Sequence, residues 1–331
     1  MVELDKKNVF MMKKIFCGGK YKLNIINGSF IDFKIFKEVK IDVKFDIILG
    51  NLPFQYKEPN KQAQPIWHLF IERSYTYLLK DNGYLLFLHP SGWRDISGIY
   101  RHIFNYIKEH NLIYLSMNSY ATGKSVFCGA ATNFDYCLVQ NTKTNTNITD
   151  INDIDNDIEN YEIDNKTYKK DLNKWDFIPS GEFKKFEEIL AKKERIKLLH
   201  DRSMYGTDKA NTNIKKDNIF KYPICNSINK EGNINFIYSN DKKGHFGIPK
   251  VIWSNGAGDP IIDKIGEYGL SEFSSAIVDD KQNLQKIRDA MVSEKFINLM
   301  KYLVFKENHT YNYKIIELFK KDFYKYFLPK K

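Results

Sequence analysis

The segment FDIILGNLPFQY, at residues 45–56, constrains the fold more than any other part of the sequence. Its run from Asp46 to Leu49 stops at Gly50, which is typical of a short buried strand followed by a turn. Open α/β sheets bind their ligands beyond the carboxyl ends of such strands. The pattern therefore predicts an α/β fold with a ligand site at the turn that Asn51 begins.

The turn combines an amide, a constrained backbone and an aromatic ring, in Asn51, Leu52, Pro53 and Phe54. The Asn51 oxygen and a backbone carbonyl can accept hydrogen bonds from an exocyclic amino group. The Phe54 ring can stack on a nucleobase. These groups suit a pocket for an amino-bearing base, and we predict the four residues as the catalytic ones.

This turn resembles the Asn-Pro-Pro-Phe/Tyr motif of the adenine-N6 methyltransferases, which use S-adenosylmethionine (SAM). The chain is similar to the restriction–modification group in which a target-recognition domain follows the catalytic domain. It departs from the family at Leu52, which stands in place of the first proline. The resemblance also covers VELDKKNVF, INGSFIDF, IWHLFIERSYTYLLKDNGYLLFLHPSGWR and VFCGAATNFDYCLVQ.

The resemblance implies a Rossmann-like SAM-dependent methyltransferase sheet followed by an α+β target-recognition domain. We expect the catalytic domain at residues 1–145, an acidic polar linker or loop at 146–165 and a basic nucleic-acid recognition domain at 166–331. The linker prediction rests on composition, because the seven acidic residues between 150 and 164 have no basic residue among them.

The resemblance also implies a cofactor site. In this family an acidic residue at a strand end binds the SAM ribose, and Glu3 matches it. Ser29 stands where the family usually has an acidic residue near the adenine ring, and Asn51 adjoins the cofactor. The family's glycine-rich SAM loop should precede Glu3 by about twenty residues. We therefore expect an N-terminally incomplete sheet, with weak or absent SAM binding by this chain alone unless a second polypeptide supplies that segment.

The net charge of +10 falls entirely in the second half of the chain. Residues 1–165 contain 19 basic and 19 acidic residues, whereas residues 166–331 contain 32 and 22. This asymmetry favours chemistry in the first half and polyanion binding in the second. The predicted nucleic-acid contacts are Trp93, which follows a predicted strand, and a charged and aromatic cluster that consists of Lys242, Lys243, Lys250, Trp253 and Asn255.

Composition argues against several other kinds of site. The four cysteines are scattered without a C-x-x-C pair and the seven histidines show no ligand spacing, so we expect neither a disulfide framework nor a metal site. No apolar run approaches the length of a membrane span, and the first residues are charged. We therefore expect a protein that is not secreted, has no membrane partner and is located in the cytoplasm or wherever its DNA is.

Three functions stay open from the sequence. The first is a DNA methyltransferase that flips adenine out of double-stranded DNA into the Asn51–Phe54 pocket. The second is methylation of RNA adenine, because the ribosomal RNA adenine dimethyltransferases carry Asn-Leu-Pro-Tyr/Phe at this turn. The third is a catalytically inactive nucleic-acid-binding or structural module. The basic second half and the Pro90–Trp93 segment favour the DNA enzyme.

Overall fold

The chain divides into two compact units. The first is formed by residues 1–94 and 98–178, and the second by residues 95–97 and 179–331. The second unit therefore begins mainly after residue 178, whereas the sequence predicted that the second domain begins at residue 166. A computed structural model describes residues 1–16, 24–32, 44–57, 62–96, 98–127, 132–144, 148–156, 163–200, 211–255, 258–303 and 312–329.

The first unit alternates strands and helices along the chain. A π-helical turn at Ser74–Leu78 and a 3-10 turn at Ser91–Arg94 interrupt the regular elements. The described elements are β1 (Val2–Glu3), α1 (Lys6–Phe16), β2 (Ile26–Asn27), β3 (Phe45–Asn51), β4 (Gln55–Tyr56), β5 (Gln64–Pro65), α2 (Trp67–Arg73), β6 (Leu79–Pro90), α3 (Arg101–Glu109), β7 (His110–Asn118), α4 (Tyr120–Val126), β8 (Phe134–Lys143), β9 (Ile148–Asn156) and β10 (Ile163–Asp171).

Six of these strands form a central mixed sheet in the order β10–β9–β7–β8–β6–β3. β3 and β6 are parallel, with Asn51 opposite Leu88, and β7 and β9 are also parallel. β8 runs antiparallel to both of its neighbours. The predicted α/β fold class is therefore confirmed. β1 and β2 pair in parallel as a separate two-stranded sheet.

β3 lies at an edge of the central sheet. Among the described strands it pairs with β6 alone. Its side chains Ile47 and Leu49 are 61% and 71% exposed, whereas Leu85 and Phe87 on β6 are buried. The core of the unit therefore covers the face of β6 that carries Leu85 and Phe87, because successive strand residues point to opposite faces.

The acidic segment predicted as a linker is largely part of this sheet. β9 pairs with β7 in parallel and with β10 in antiparallel orientation. Ile151 is buried, and the buried Thr149 hydroxyl donates to the Leu112 carbonyl oxygen at 2.6 Å. The acidic composition gave no indication of these strands. The backbone N–H and C=O groups of β7 need hydrogen-bond partners, whatever the polarity of the side chains on the strand that pairs with it.

The second unit combines short strands with short helices, as predicted for an α+β domain. The described elements are α5 (Phe183–Ile189), β11 (Lys197–Leu199), β12 (Thr212–Asn213), β13 (Tyr222–Ile228), β14 (Ile234–Ser239), β15 (Lys250–Ser254), β16 (Ile261–Asp263), β17 (Gly269–Leu270), β18 (Ser274–Val278), α6 (Lys281–Met291), α7 (Glu294–Lys301), α8 (Tyr313–Ile316) and α9 (Tyr324–Phe327). The strands form two four-stranded sheets, in the orders β11–β18–β15–β16 and β12–β14–β13–β17.

A buried carboxylate joins the carboxyl end of β6 to β8. Asp135 has no exposed surface, and its Oδ2 accepts hydrogen bonds from Trp93 Nε1 at 2.8 Å and from Arg94 Nε at 3.0 Å. The Arg94 Nη1 group lies 3.0 Å from the Met117 sulfur on β7. One charge pair thus connects three neighbouring strands of the sheet.

Removing the Asp135 carboxylate should destabilise the first unit strongly. Asp135→Ala leaves the Arg94 charge buried without its partner, which costs about 3–5 kcal/mol in comparable pairs. Denaturant unfolding followed by tryptophan fluorescence measures this loss. Asp46→Ala is the matched control, because Asp46 pairs with Lys80 at 2.9 Å on the surface. This variant should unfold at nearly the same denaturant concentration as the parent protein. Equal losses in the two variants would contradict the importance of the buried pair.

Candidate functional site

The predicted turn follows directly on β3, which ends at Asn51. The Leu52 N–H donates to the Leu88 carbonyl oxygen of β6 at 3.3 Å. The Phe54 carbonyl oxygen accepts from the Ile66 N–H at 3.2 Å. These two bonds hold the turn against β6 on one side and against the residue before α2 on the other.

Two hydrogen-bond acceptors in the turn are left open. The Asn51 carboxamide is exposed and has no hydrogen-bond partner among the described residues. The Leu52 carbonyl oxygen likewise accepts no bond from the described part of the chain, although the Leu52 side chain is buried. Pro53 is exposed. The turn therefore offers a side-chain oxygen and a backbone oxygen on consecutive residues.

Aromatic rings fix the orientation of Phe54. The Phe54 and Phe127 rings are edge-to-face, with centroids 5.8 Å apart and planes at 71°. Phe127 in turn meets the buried Phe134 ring at 5.0 Å and 73°. Edge-to-face pairs of this kind contribute beyond the area that they bury. Phe54 is therefore held by a row of rings that reaches β8.

Phe127 is a site residue that the sequence did not reveal. It lies in the segment VFCGAATNFDYCLVQ, which carried the family resemblance without indicating a role for the ring. It follows α4, and Gly123 in that helix lies so close to the Thr132 carbonyl oxygen that a Cβ atom there would overlap it. The glycine lets α4 approach the chain just before β8, and this brings Phe127 to Phe54.

Trp93 is a core residue in this structure. It is 1% exposed, and its indole N–H is taken by Asp135. The sequence placed it in the nucleic-acid surface because it follows a strand end. The distant Asp135 carboxylate explains the difference, since a buried indole N–H needs an acceptor and Asp135 supplies it.

His89 follows Leu88, the residue whose carbonyl oxygen anchors the turn. Its Nδ1 donates to the Pro90 carbonyl oxygen at 3.1 Å, and its ring stacks on Trp67 at 5.2 Å with the planes at 9°. Burial lowers the pKa of His89 to about 4. The imidazole is therefore neutral at neutral pH and acts as a flat packing group beside Leu88, whose carbonyl oxygen anchors the turn.

The predicted cofactor residues lie at the carboxyl ends of β1 and β2. Glu3 is opposite Asn27 in the parallel pair, and its Oε1 accepts hydrogen bonds from Asp5 N at 2.9 Å and Asn8 Nδ2 at 3.4 Å. Its Oε2 has no hydrogen bond to a described residue, so it remains free to accept ribose hydroxyls. The Ser29 hydroxyl accepts from the Ile31 N–H at 3.3 Å and can still donate.

In the second unit, two predicted nucleic-acid contacts are internal. Lys250 is fully buried and its Nζ lies 2.6 Å from Asp263 Oδ2, while Trp253 is 3% exposed. Lys250 therefore forms a buried structural ion pair, and Trp253 is a core residue. Lys242, Lys243 and Asn255 are exposed and stay predicted contacts.

Other kinds of site are not found in the described ranges. Within them, no group of three or more His, Cys, Asp and Glu side chains is placed to hold a metal ion. Cys137 and Cys225 are buried free thiols, while Cys17 and Cys128 lie outside the described residues. No helix in the described part of the chain is long and apolar enough to cross a membrane.

Part of the first unit matches a known protein family. Residues 4–127 match the family described as Eco57I restriction-modification methylase. That match includes the Asn51–Phe54 turn, Glu3 lies just before it, and the predicted resemblance to restriction–modification methyltransferases is confirmed. A search of curated proteins found no match.

Solved structures similar to the chain include methyltransferases. A putative class I SAM-dependent methyltransferase of Listeria monocytogenes is 13% identical, with a TM-score of 0.33, and the match covers 45% of this chain and 48% of that one. A type I restriction-modification methyltransferase subunit of Streptococcus thermophilus is 16% identical, with a TM-score of 0.37 and coverage of 52% and 39%. The type IIL enzyme MmeI, in complex with DNA, is 9% identical, with a TM-score of 0.43 and coverage of 87% and 51%. The chain spans about half or less of each of these proteins.

Acid should destabilise the first unit through His89. Because its pKa is about 4 when folded and 6.5 ordinarily, the unfolded chain binds a proton between these values that the folded chain does not. The contribution of neutral His89 to the free energy of unfolding is thus complete above about pH 6.5, and it is lost as the pH falls toward 4. Between pH 7 and pH 4.5, His89→Gln should lose about 2–3 kcal/mol less than the parent in urea unfolding. The same pH dependence in both proteins would contradict this role.

Proposed function

We propose that the Asn51–Phe54 turn is the target-base pocket of an adenine-N6 methyltransferase that acts on double-stranded DNA. The observation that carries the proposal is the pair of open acceptors, the Asn51 carboxamide and the Leu52 carbonyl, beside the oriented Phe54 ring. The adenine amino group has two N–H donors on a flat ring. The pocket is complementary to both features.

The chain's residues act on a base that has left the duplex stack. Phe54 stacks on its face, and Phe127 holds Phe54 edge-on so that the stacking face is presented without further ordering. Asn51 Oδ1 accepts one amino proton and the Leu52 carbonyl oxygen accepts the other. These bonds raise the electron density on N6 and aim its lone pair, and they strengthen as positive charge develops on the nitrogen in the transition state.

The cofactor residues fit SAM, which supplies an electrophilic methyl group when bound. The free Oε2 of Glu3 and the Ser29 hydroxyl lie at the ends of two parallel strands, where a ribose is ordinarily bound. They would hold the nucleoside part of the cofactor. The +10 charge of residues 166–331 supports DNA as the second substrate, because neutralised phosphates supply most of the affinity for nucleic acid.

Methylation of RNA is the second candidate, because Leu52 gives the turn the Asn-Leu-Pro-Phe sequence of the RNA enzymes that it resembles. The structure supplies a local reason for this leucine. Its N–H donates to the Leu88 carbonyl oxygen, which a proline lacks the proton to do, and its side chain is buried. The leucine is thus explained by packing and leaves the choice of nucleic acid to the second unit.

Asn51→Ala should lower the turnover number far more than it weakens DNA binding. Removing one positioned transition-state hydrogen bond costs about 2.7–4 kcal/mol, or about 10²–10³-fold in rate. Single-turnover methyl transfer to duplex DNA, with binding measured separately by fluorescence anisotropy, distinguishes the two effects. Asn298→Ala, at an exposed position on α7, is the control and should match the parent.

Parallel assays separate the candidates. Transfer to duplex DNA with little transfer to structured RNA supports the DNA enzyme, and the reverse supports the RNA enzyme. An Asn51→Ala protein as fast as the parent would reject the pocket. Absence of transfer to either substrate, with SAM present at millimolar concentration, would favour the inactive nucleic-acid-binding module.

A further inference from the structure

Lys221 and Lys242 lie at one end of the β12–β14–β13–β17 sheet, just before β13 begins and just after β14 ends. Residues 211–246 contain six lysines and three acidic residues. Asp241 pairs with Lys243 at 3.4 Å, and Asp217 caps its own loop by accepting from the Ile219 and Phe220 N–H groups. None of the remaining lysines of this stretch forms an ion pair with a described residue; these are Lys215, Lys216, Lys221, Lys230 and Lys242.

Two of these lysines share one aromatic ring. The Nζ atoms of Lys221 and Lys242 lie 5.3 Å and 5.2 Å from the centroid of Tyr222. Each cation is attracted to the ring, but the two repel each other, and no carboxylate among the described residues pairs with either. An anion that reaches both would relieve this repulsion. We call Lys221, Tyr222 and Lys242 the lysine platform.

The fold holds the lysine platform in place. Phe246 meets Tyr222 edge-on at 6.3 Å and 67°, and it packs on Gly269, where a Cβ atom would come within 2.9 Å of the ring. Lys242 Nζ also lies 5.9 Å from the Phe246 centroid. The glycine therefore admits the Phe246 ring, and that ring orients Tyr222 and Lys242.

The buried Lys250–Asp263 pair fixes the turn that carries Phe246. Lys250 Nζ donates to the His245 carbonyl oxygen at 2.9 Å as well as to Asp263. Asp263 also accepts the Gly266 and Glu267 N–H groups at 2.9 Å and 2.8 Å. The sequence predicted Lys250 as a surface contact to nucleic acid. It is instead a buried residue that positions the turn at His245 and Phe246.

We propose that the lysine platform binds backbone phosphates of the double-stranded DNA substrate. The proposal rests on the proposed function for its choice of polyanion. Its own support is charge complementarity, since two cations that share a ring and have no carboxylate partner among the described residues suit a phosphate. The ring adds a flat apolar surface beside them. The contact fixes position and carries no base sequence by itself.

The test is the salt dependence of DNA binding by the full chain. Each lost phosphate contact should lower the magnitude of the slope of log K against log salt by about 0.9. Lys221→Gln with Lys242→Gln should therefore reduce it by about 1.8, measured by fluorescence anisotropy on a duplex oligonucleotide. Lys286→Gln with Lys301→Gln removes the same charge from exposed positions on α6 and α7 and should leave the slope unchanged. Tyr222→Leu should weaken duplex binding because it removes the ring, whereas Tyr222→Phe keeps the ring and should bind like the parent.

The outcomes separate this proposal from the catalytic one. Equal slopes for the two double variants would overturn the lysine platform even if the protein methylates DNA. A selective loss of slope supports the platform even if Asn51→Ala proves silent in methyl transfer. Loss of binding to anionic phospholipid vesicles, with DNA binding unchanged, would assign the lysines to a lipid surface and overturn the proposal.

Discussion

The first unit depends on the buried carboxylate of Asp135. Its Oδ2 is the common acceptor for Trp93 and Arg94, the two residues that end the 3-10 turn after β6. Burial raises the pKa of the Asp135 carboxyl, and the Arg94 guanidinium opposes that shift. Such a pair adds little net free energy compared with apolar packing, but it is costly to break. It therefore specifies how β6 leaves the sheet.

The path of β6 determines the geometry of the candidate site. The Leu88 carbonyl oxygen holds the turn after β3, and the next residue, His89, is packed flat against Trp67. β8, which carries Asp135, also carries Phe134, the inner ring of the row that ends at Phe54. The Leu52 carbonyl oxygen and the Phe54 ring are thus both positioned by residues at one end of the sheet. The distance between them therefore depends on the same core contacts.

Local patterns in the sequence were sufficient for the turn and for the α/β class. The Asn51–Phe54 motif could be identified because its four residues are consecutive and the preceding apolar run predicts its strand. Phe127 could not be assigned, because its contact with Phe54 depends on how closely α4 approaches the start of β8. That approach depends on a glycine whose importance appears only when Thr132 is placed beside it.

Burial was harder to predict than secondary structure wherever a charge or an indole had a distant partner. Trp93 and Lys250 both suggested a nucleic-acid surface, and each is internal because a carboxylate elsewhere in the chain satisfies it. The acidic composition of β9 suggested a linker or loop, but its backbone pairs with β7. Pairing between distant residues was the missing information in all three cases.

Leu52 stands where the motif that this turn resembles has a proline, and the turn still presents two open acceptors. A proline would fix the turn through its own ring. Here the backbone is fixed from outside, by the hydrogen bond from Leu52 N–H to Leu88 and by a leucine side chain buried near Phe87. The Leu52 carbonyl oxygen stays available because neither contact uses it. The conformation of the turn at residue 52 therefore depends on β6. The position of the Leu52 carbonyl oxygen should be most sensitive to substitutions in the core next to Leu88.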